Sequence, residues 1–158
     1  MEETRDLEQD ISLDEDVGKM EDLSTQIGWV SRRRFEQELE SFNITVPQFM
    51  ALRCMMENNH GCNMSELAES SHQVSATMTG IIDRLEDRGL VTRERDPNDR
   101  RAQRVVLTPA GKELMEQIRM QKRAWVKQVL ASLSPEERRW MIAMSQRYLE
   151  LVEKTLGV

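Results

Sequence analysis

A change of hydrophobic period between Gly89 and Pro109 narrows the folds open to this chain more than any other feature. Before Gly89, apolar residues recur every three or four positions, the spacing of one face of an α-helix. From Leu90 the pattern becomes "LVTRER" and then "QRVVLT", short runs rich in valine and threonine that fit a pleated strand. Asp96, Pro97, Asn98 and Asp99 between them carry turn chemistry. Thr108 and Pro109 then serve as N-cap and first helical residue, and the helical spacing resumes. One short hairpin set among helices predicts a mainly α fold with a small β-hairpin.

The helices before the hairpin have their own boundary signals. A first helix is predicted over about residues 14–41, with Met20, Leu23, Ile27 and Val30 on one stripe. Thr45 and Gln48 form a T-x-x-Q capping box, with Pro47 tolerated in the first turn, for a second helix whose apolar face is Phe49, Leu52 and Met56. Asn63 and Glu66 open a short third helix with Met64, Leu67 and Ala68 inward. After a few polar residues "VSATMTGIIDRLEDRGL" forms a fourth, stopped by Gly89 in a left-handed conformation. Two short helices across so tight a turn predict a helix-turn-helix, and the hairpin behind them a wing. Two further helices follow. One carries Leu114, Ile118, Trp125 and Val129; the other is capped by Ser134 with Pro135 and Glu137 and bears Met141, Met144, Tyr148, Leu151 and Leu156.

Charge is distributed unevenly. Residues 1–22 hold ten acids against Arg5 and Lys19; the whole chain is −6 and this segment −8, so residues 23–158 sum to +2. The overall acidity therefore does not exclude a polyanionic partner for the folded part. The hairpin "RERDPNDRRAQRVVLT" concentrates five arginines around its turn. On the fourth helix, a rotation of 100° per residue puts Met78, Ile81, Ile82 and Leu85 on one face and Ala76, Thr79, Gly80 and Asp83 on the other. Small side chains on the outer face let the backbone approach base edges in a major groove. Arg100 and Arg101 at the hairpin tip suit a narrow minor groove, with Asp99 placed to brace one of them. The predicted partner is double-stranded DNA.

Other chemistries find little support. No apolar run of about 18 residues exists to span a bilayer, and the acidic start resembles neither a signal nor a transit peptide, so no membrane association and a cytoplasmic location are expected. Cys54 and Cys62 are too few for a disulfide scaffold; Cys54 reads as a buried packing thiol and Cys62 as an ordinary, more exposed one in the turn. His60, Cys62 and His72 are poorly spaced for zinc, and no metal or cofactor is expected. Neither a nucleophile paired with a base nor a phosphate-binding loop is present, so no catalytic residue is assigned and no enzymatic activity is expected.

The block "IIDRLEDRGLVTRERDPNDRRAQRVVLTPAGKEL", residues 81–114, resembles the MarR (multiple antibiotic resistance regulator) family of winged helix-turn-helix transcription factors, matching the end of its recognition helix, its D-x-D-R-R wing and the L-T-x-x-G that follows. The resemblance implies a winged helix-turn-helix lobe plus a helical dimerisation region, and a homodimer on palindromic operator DNA. It divides the chain into an acidic flexible tail (1–18), a dimerisation helix (19–42), the DNA-binding lobe (43–109) and the dimerisation helices (110–158). By the same resemblance Ser75, Ala76, Thr77, Thr79 and Gly80 would lie in the major groove. Arg101 would enter the minor groove, oriented by Asp99 and flanked by Arg100, while Arg93, Arg95 and Arg104 would position phosphates. Many relatives carry Arg or Lys early in the recognition helix, where this chain has Gln73 to Ala76, which leaves base preference open.

Relatives of this kind bind small aromatic or phenolic effectors beside the dimer helices, and Trp29, Arg33, Arg53 and Met56 are the candidates for such a pocket here. The leading expectation is a repressor released by such an effector. Two alternatives are a thiol-switch regulator acting through Cys54 and Cys62, and a winged-helix protein-interaction module without DNA binding.

Overall fold

The computed structural model describes residues 2–58, 61–71, 73–95 and 103–157, with side chains from residue 12 onward except that of Ser75. It is mainly helical with one two-stranded antiparallel sheet. In chain order the elements are α1 (Glu2–Ser41), α2 (Val46–Glu57), α3 (Met64–Ser70), α4 (Ser75–Asp87), β1 (Val91–Arg95), β2 (Gln103–Leu107), α5 (Pro109–Ala131) and α6 (Pro135–Leu156). The strands pair with Val91 opposite Leu107 and Arg95 opposite Gln103.

The local signals translate directly into caps. Thr45, Asn63 and Ser134 each accept from the backbone three residues on, while Gln48, Glu66 and Glu137 reach back to the N-cap N–H, so α2, α3 and α6 all start with two orphan donors satisfied. In α6 the Ser134 backbone N–H, donating to the Glu137 carboxylate, is the main cause that holds that carboxyl below its ordinary range. Gly89 ends α4 at φ +69°. The L-T-x-x-G motif ties the start of α5 to the end of α4. The Thr108 hydroxyl donates to the Gly89 carbonyl at 2.6 Å and accepts from the Gly111 N–H at 3.1 Å. A Cβ on Gly111 would sit 2.1 Å from the Leu90 carbonyl oxygen, so only glycine lets α5 pass this close to the start of β1.

Two expectations are corrected. Helical geometry in α1 begins at Glu2 rather than near Asp14, so it runs through the segment read as a flexible tail. Acidic side chains favour the first turns of a helix, and Lys19 adds contacts to Glu15 at 3.8 Å and Asp16 at 3.4 Å. On α2, Met56 is 43 % exposed whereas Met55 is buried, because the inward face follows Gln48, Ala51, Leu52 and Met55 at steps of three and four.

The chain forms two compact units, 1–115 and 116–158. In the first, Leu39 of α1, Leu52 of α2, Leu67 of α3, Met78, Ile82 and Leu85 of α4, and Val91 and Val105 of the hairpin are all essentially inaccessible. Each element around the helix-turn-helix thus contributes to one core, which fixes α4 by its inner face. The second unit is different in kind. Helix α6 buries none of its residues, and Met144, Tyr148, Leu149 and Leu151 remain about half exposed in the single chain. Helix α1 likewise leaves Val17, Met20, Leu23, Ile27 and Val30 exposed along one stripe.

Candidate nucleic-acid interface

Helix α4 presents the two faces its sequence predicts. Met78, Ile81, Ile82 and Leu85 are buried, while Ala76, Thr77, Thr79 and Asp83 are exposed and Gly80 is half-buried. A Cβ built on Gly80 meets no atom within 4 Å, so the protein itself does not demand glycine there. The exposed face is therefore short-chained and open, the shape that admits another surface to the helix backbone.

The wing is joined to this helix by an ion-pair clamp that sequence reasoning missed. Arg93 on β1 donates through Nη2 to Asp83 at 2.5 Å and through Nη1 to Glu86, both on α4. Hydrogen bonding to Asp83 above all, with the charge of Glu86, keeps the Arg93 guanidinium firmly protonated. The family resemblance implies phosphate positioning for Arg93; in the structure two carboxylates engage both of its Nη atoms within the protein. Asp83 was read as part of the groove-facing side and is one end of that clamp. The signal was present in principle, since Asp83 and Glu86 share a face at i and i+3, but their partner lies across the chain reversal at Gly89.

The other site residues are placed as follows. Arg95 is exposed at the end of β1. Arg104 on β2 donates to the Gly61 carbonyl at 3.4 Å, which ties its guanidinium to the loop after α2. Ser75 begins α4. Asp99, Arg100 and Arg101 lie outside the described residues, as do His60 and His72.

The four candidate pocket residues are placed as follows among the described residues. Trp29 and Arg33 line an open groove of about 590 Å³ along α1. Met56 lines a separate cleft of about 300 Å³ with Met55, Gly61 and Lys112 among others. The Arg53 Nε donates to Glu57 at 2.7 Å.

Cys62 departs from its expected exposure. It is fully buried, bridged through its backbone to Val105 of β2, and its Sγ lies 3.0 Å from that of Cys54. Burial first, and the hydrogen bond with Cys54 second, push the Cys62 thiol up to about 12. A thiol so far from ionising at neutral pH is a poor nucleophile, which disfavours the thiol-switch alternative. Among the described residues no group of three or more His, Cys, Asp or Glu is placed to hold a metal ion, and no helix is long and apolar enough to cross a membrane.

A helix-turn-helix with an open-faced second helix, clamped to a β-hairpin wing, defines a winged helix-turn-helix protein. Comparison with known proteins narrows the class. The sequence model of the MarR family matches residues 44–102, the span from the end of the α1–α2 turn into the wing. YfiV of Bacillus subtilis (strain 168), an uncharacterized HTH-type transcriptional regulator, is 32% identical over 121 residues, covering 74% of this chain and 74% of its own. YsmB of the same organism, also an uncharacterized HTH-type transcriptional regulator, is 28% identical over 123 residues, covering 78% of this chain and 84% of its own. The solved structure of a MarR family protein from Bacillus stearothermophilus superposes with a TM-score of 0.74 at 28% identity, covering 90% of this chain and 96% of that one. The chain belongs to the MarR family: it is a DNA-binding transcriptional regulator and not an enzyme.

Proposed function

We propose that the chain acts in the cytoplasm as a homodimeric repressor that holds a palindromic operator and is released by a small aromatic or phenolic effector. The observation that carries the DNA half of this reading is the short-chained outer face of α4, fixed from behind by four buried apolar residues. In this reading Ser75, Ala76, Thr77, Thr79 and Gly80 meet base edges or nearby phosphates. Arg101 enters the minor groove with Asp99 orienting it and Arg100 beside it, and Arg95 contacts phosphate. Arg93 acts one step back, holding the wing to the reading helix. Arg104 is anchored at Gly61 and can reach phosphate only with its remaining donors.

Dimerisation is supported by the exposed apolar stripes of α1 and α6, which water does not favour and which a second copy would cover. In this reading residues 19–42 and 110–158 form the dimer and 43–109 the reading lobe. The effector half rests on the aromatic and cationic side chains Trp29 and Arg33, which share one groove on α1 and suit a ring and a carboxylate. Arg53 and Met56 would have to join it from α2.

The test is selection of bound sequences from a random duplex pool, followed by titration with the purified protein. Two inverted half-sites roughly 10 base pairs apart, centre to centre, are expected. Recovery of single, non-palindromic sites bound by a monomer would refute the dimeric reading.

A further inference from the structure

A second cleft, of about 530 Å³, lies where the end of α1, the start of α2 and the turn before α4 meet. That volume falls in the range of small-molecule sites. Leu39, Ile44, Pro47 and Met50 give it an apolar lining. Its ionic groups are Arg32, Glu36 and Glu40. The Arg32 Nε donates to Glu36 at 2.9 Å, whereas Glu40 has no ion pair among the described residues. One carboxylate is therefore left in excess.

Two further features border the excess carboxylate. The start of α2, which borders the cleft, has only the Val46 N–H left to offer an anion. Thr45 Oγ1 already accepts from the Gln48 N–H, Gln48 Oε1 accepts from the Thr45 N–H, and Pro47 has no N–H to give. Ser71, also in the lining, is 6 % exposed, and its Oγ has no hydrogen-bond partner among the described residues. A buried hydroxyl without a partner is costly, and a ligand group that donates to it or accepts from it relieves that cost. An apolar wall, an excess carboxylate and an unpartnered hydroxyl fit an amphipathic cation, with the carboxylate setting the sign of the charge.

We propose that this cleft binds a small organic cation, an ammonium on an apolar body, with its charge on Glu40 and an N–H directed to Ser71 Oγ. The site adjoins the Trp29 and Arg33 groove, with which it shares Arg32 and Glu36, and differs from it in charge preference. It also abuts the reading element: Ser71 caps the end of α3, Gln73 donates back to the Ser71 carbonyl at 3.3 Å, and Val74 is the N-cap of α4. A ligand held here touches the turn that sets how α4 is presented.

The probe is benzylammonium chloride, with benzoate and benzyl alcohol as controls of similar shape, titrated into the full-length protein at constant ionic strength. Binding is followed by backbone amide NMR shifts, without DNA, so its failure leaves the DNA-binding reading untouched. Benzylammonium is expected to saturate with shifts centred on residues 39–50 and 71–73, and to bind more tightly there than either control. Glu40→Gln should weaken it by about threefold, the scale of one partly exposed charge pair. The double variant Glu36→Gln, Glu40→Gln leaves Arg32 unopposed and should reverse the preference towards benzoate, which a merely structural effect would not do. No saturable benzylammonium binding at residues 39–50 and 71–73, benzoate moving those same residues with equal or tighter affinity in the unmodified protein, or the same affinities and preference there in both variants overturns the proposal.

Discussion

Gly80→Ala separates folding from DNA reading, because the two respond with opposite signs. Gly80 lies inside α4, and a Cβ there would meet nothing within 4 Å. In the free protein the substitution removes only the helix penalty of glycine, a gain of about 0.8–1.0 kcal/mol. For a chain of this size that raises the midpoint of thermal unfolding by roughly 2–4 °C. With α4 in a major groove, the added methyl enters the space between helix backbone and base edges. Overpacking of a close-fitting contact costs about 1–3 kcal/mol, which is roughly 5- to 150-fold in affinity. No phosphate contact is lost, so the slope of log affinity against log salt should not change. The assays are thermal unfolding and fluorescence anisotropy with the selected operator at several salt concentrations. A variant that is more stable and binds as well as the unmodified protein would show that the Gly80 face does not lie against DNA.

Arg93→Met should lower stability by about 1 kcal/mol, the scale of a two-carboxylate surface network, and weaken operator binding with an unchanged salt slope; a slope reduced by about one would instead make Arg93 a phosphate contact. Arg101→Ala should weaken binding strongly and reduce the slope by up to about one, with helix content and dimerisation preserved, and wild-type affinity and slope would remove Arg101 from the groove. Because the folded Cys62 thiol is raised to about 12, its contribution is complete below the unfolded thiol value of about 8.5 and is lost as pH rises towards 12. Denaturation between those pH values should therefore show the unmodified protein losing up to about 1.4 kcal/mol per pH unit relative to Cys62→Ala, and parallel curves for the two would contradict the raised value. Peroxide treatment at neutral pH should leave operator affinity the same in the unmodified protein and in Cys54→Ser, Cys62→Ser, and release of DNA by the unmodified protein alone would restore the thiol switch.

What could be read in advance followed the range of the interactions. Caps are settled within four residues, so T-x-x-Q, N-x-x-E and the Ser134 to Glu137 box all located helix starts correctly. The split of α4 into a buried and an open face is a property of one helix, and periodicity carries it. Periodicity is less decisive on α2. There Met55 and Met56 are neighbours of equal hydrophobicity, and only the core reached by Leu52 decides between them. Contacts across a chain reversal were not legible at all. Nothing local pairs Arg93 with Asp83 and Glu86 across the Gly89 turn, or brings Cys54 to Cys62 when Cys62 pairs with Val105 of β2. These long-range contacts alter the functional reading. A basic wing seen alone is a set of arginines addressed to phosphate, whereas in the fold Arg93 and Arg104 face groups of the protein, and the cations aimed outward become fewer and more specific in their task. Affinity should then depend on a small number of wing arginines, while the setting of α4 beside them depends on a carboxylate pair that never needs to touch DNA.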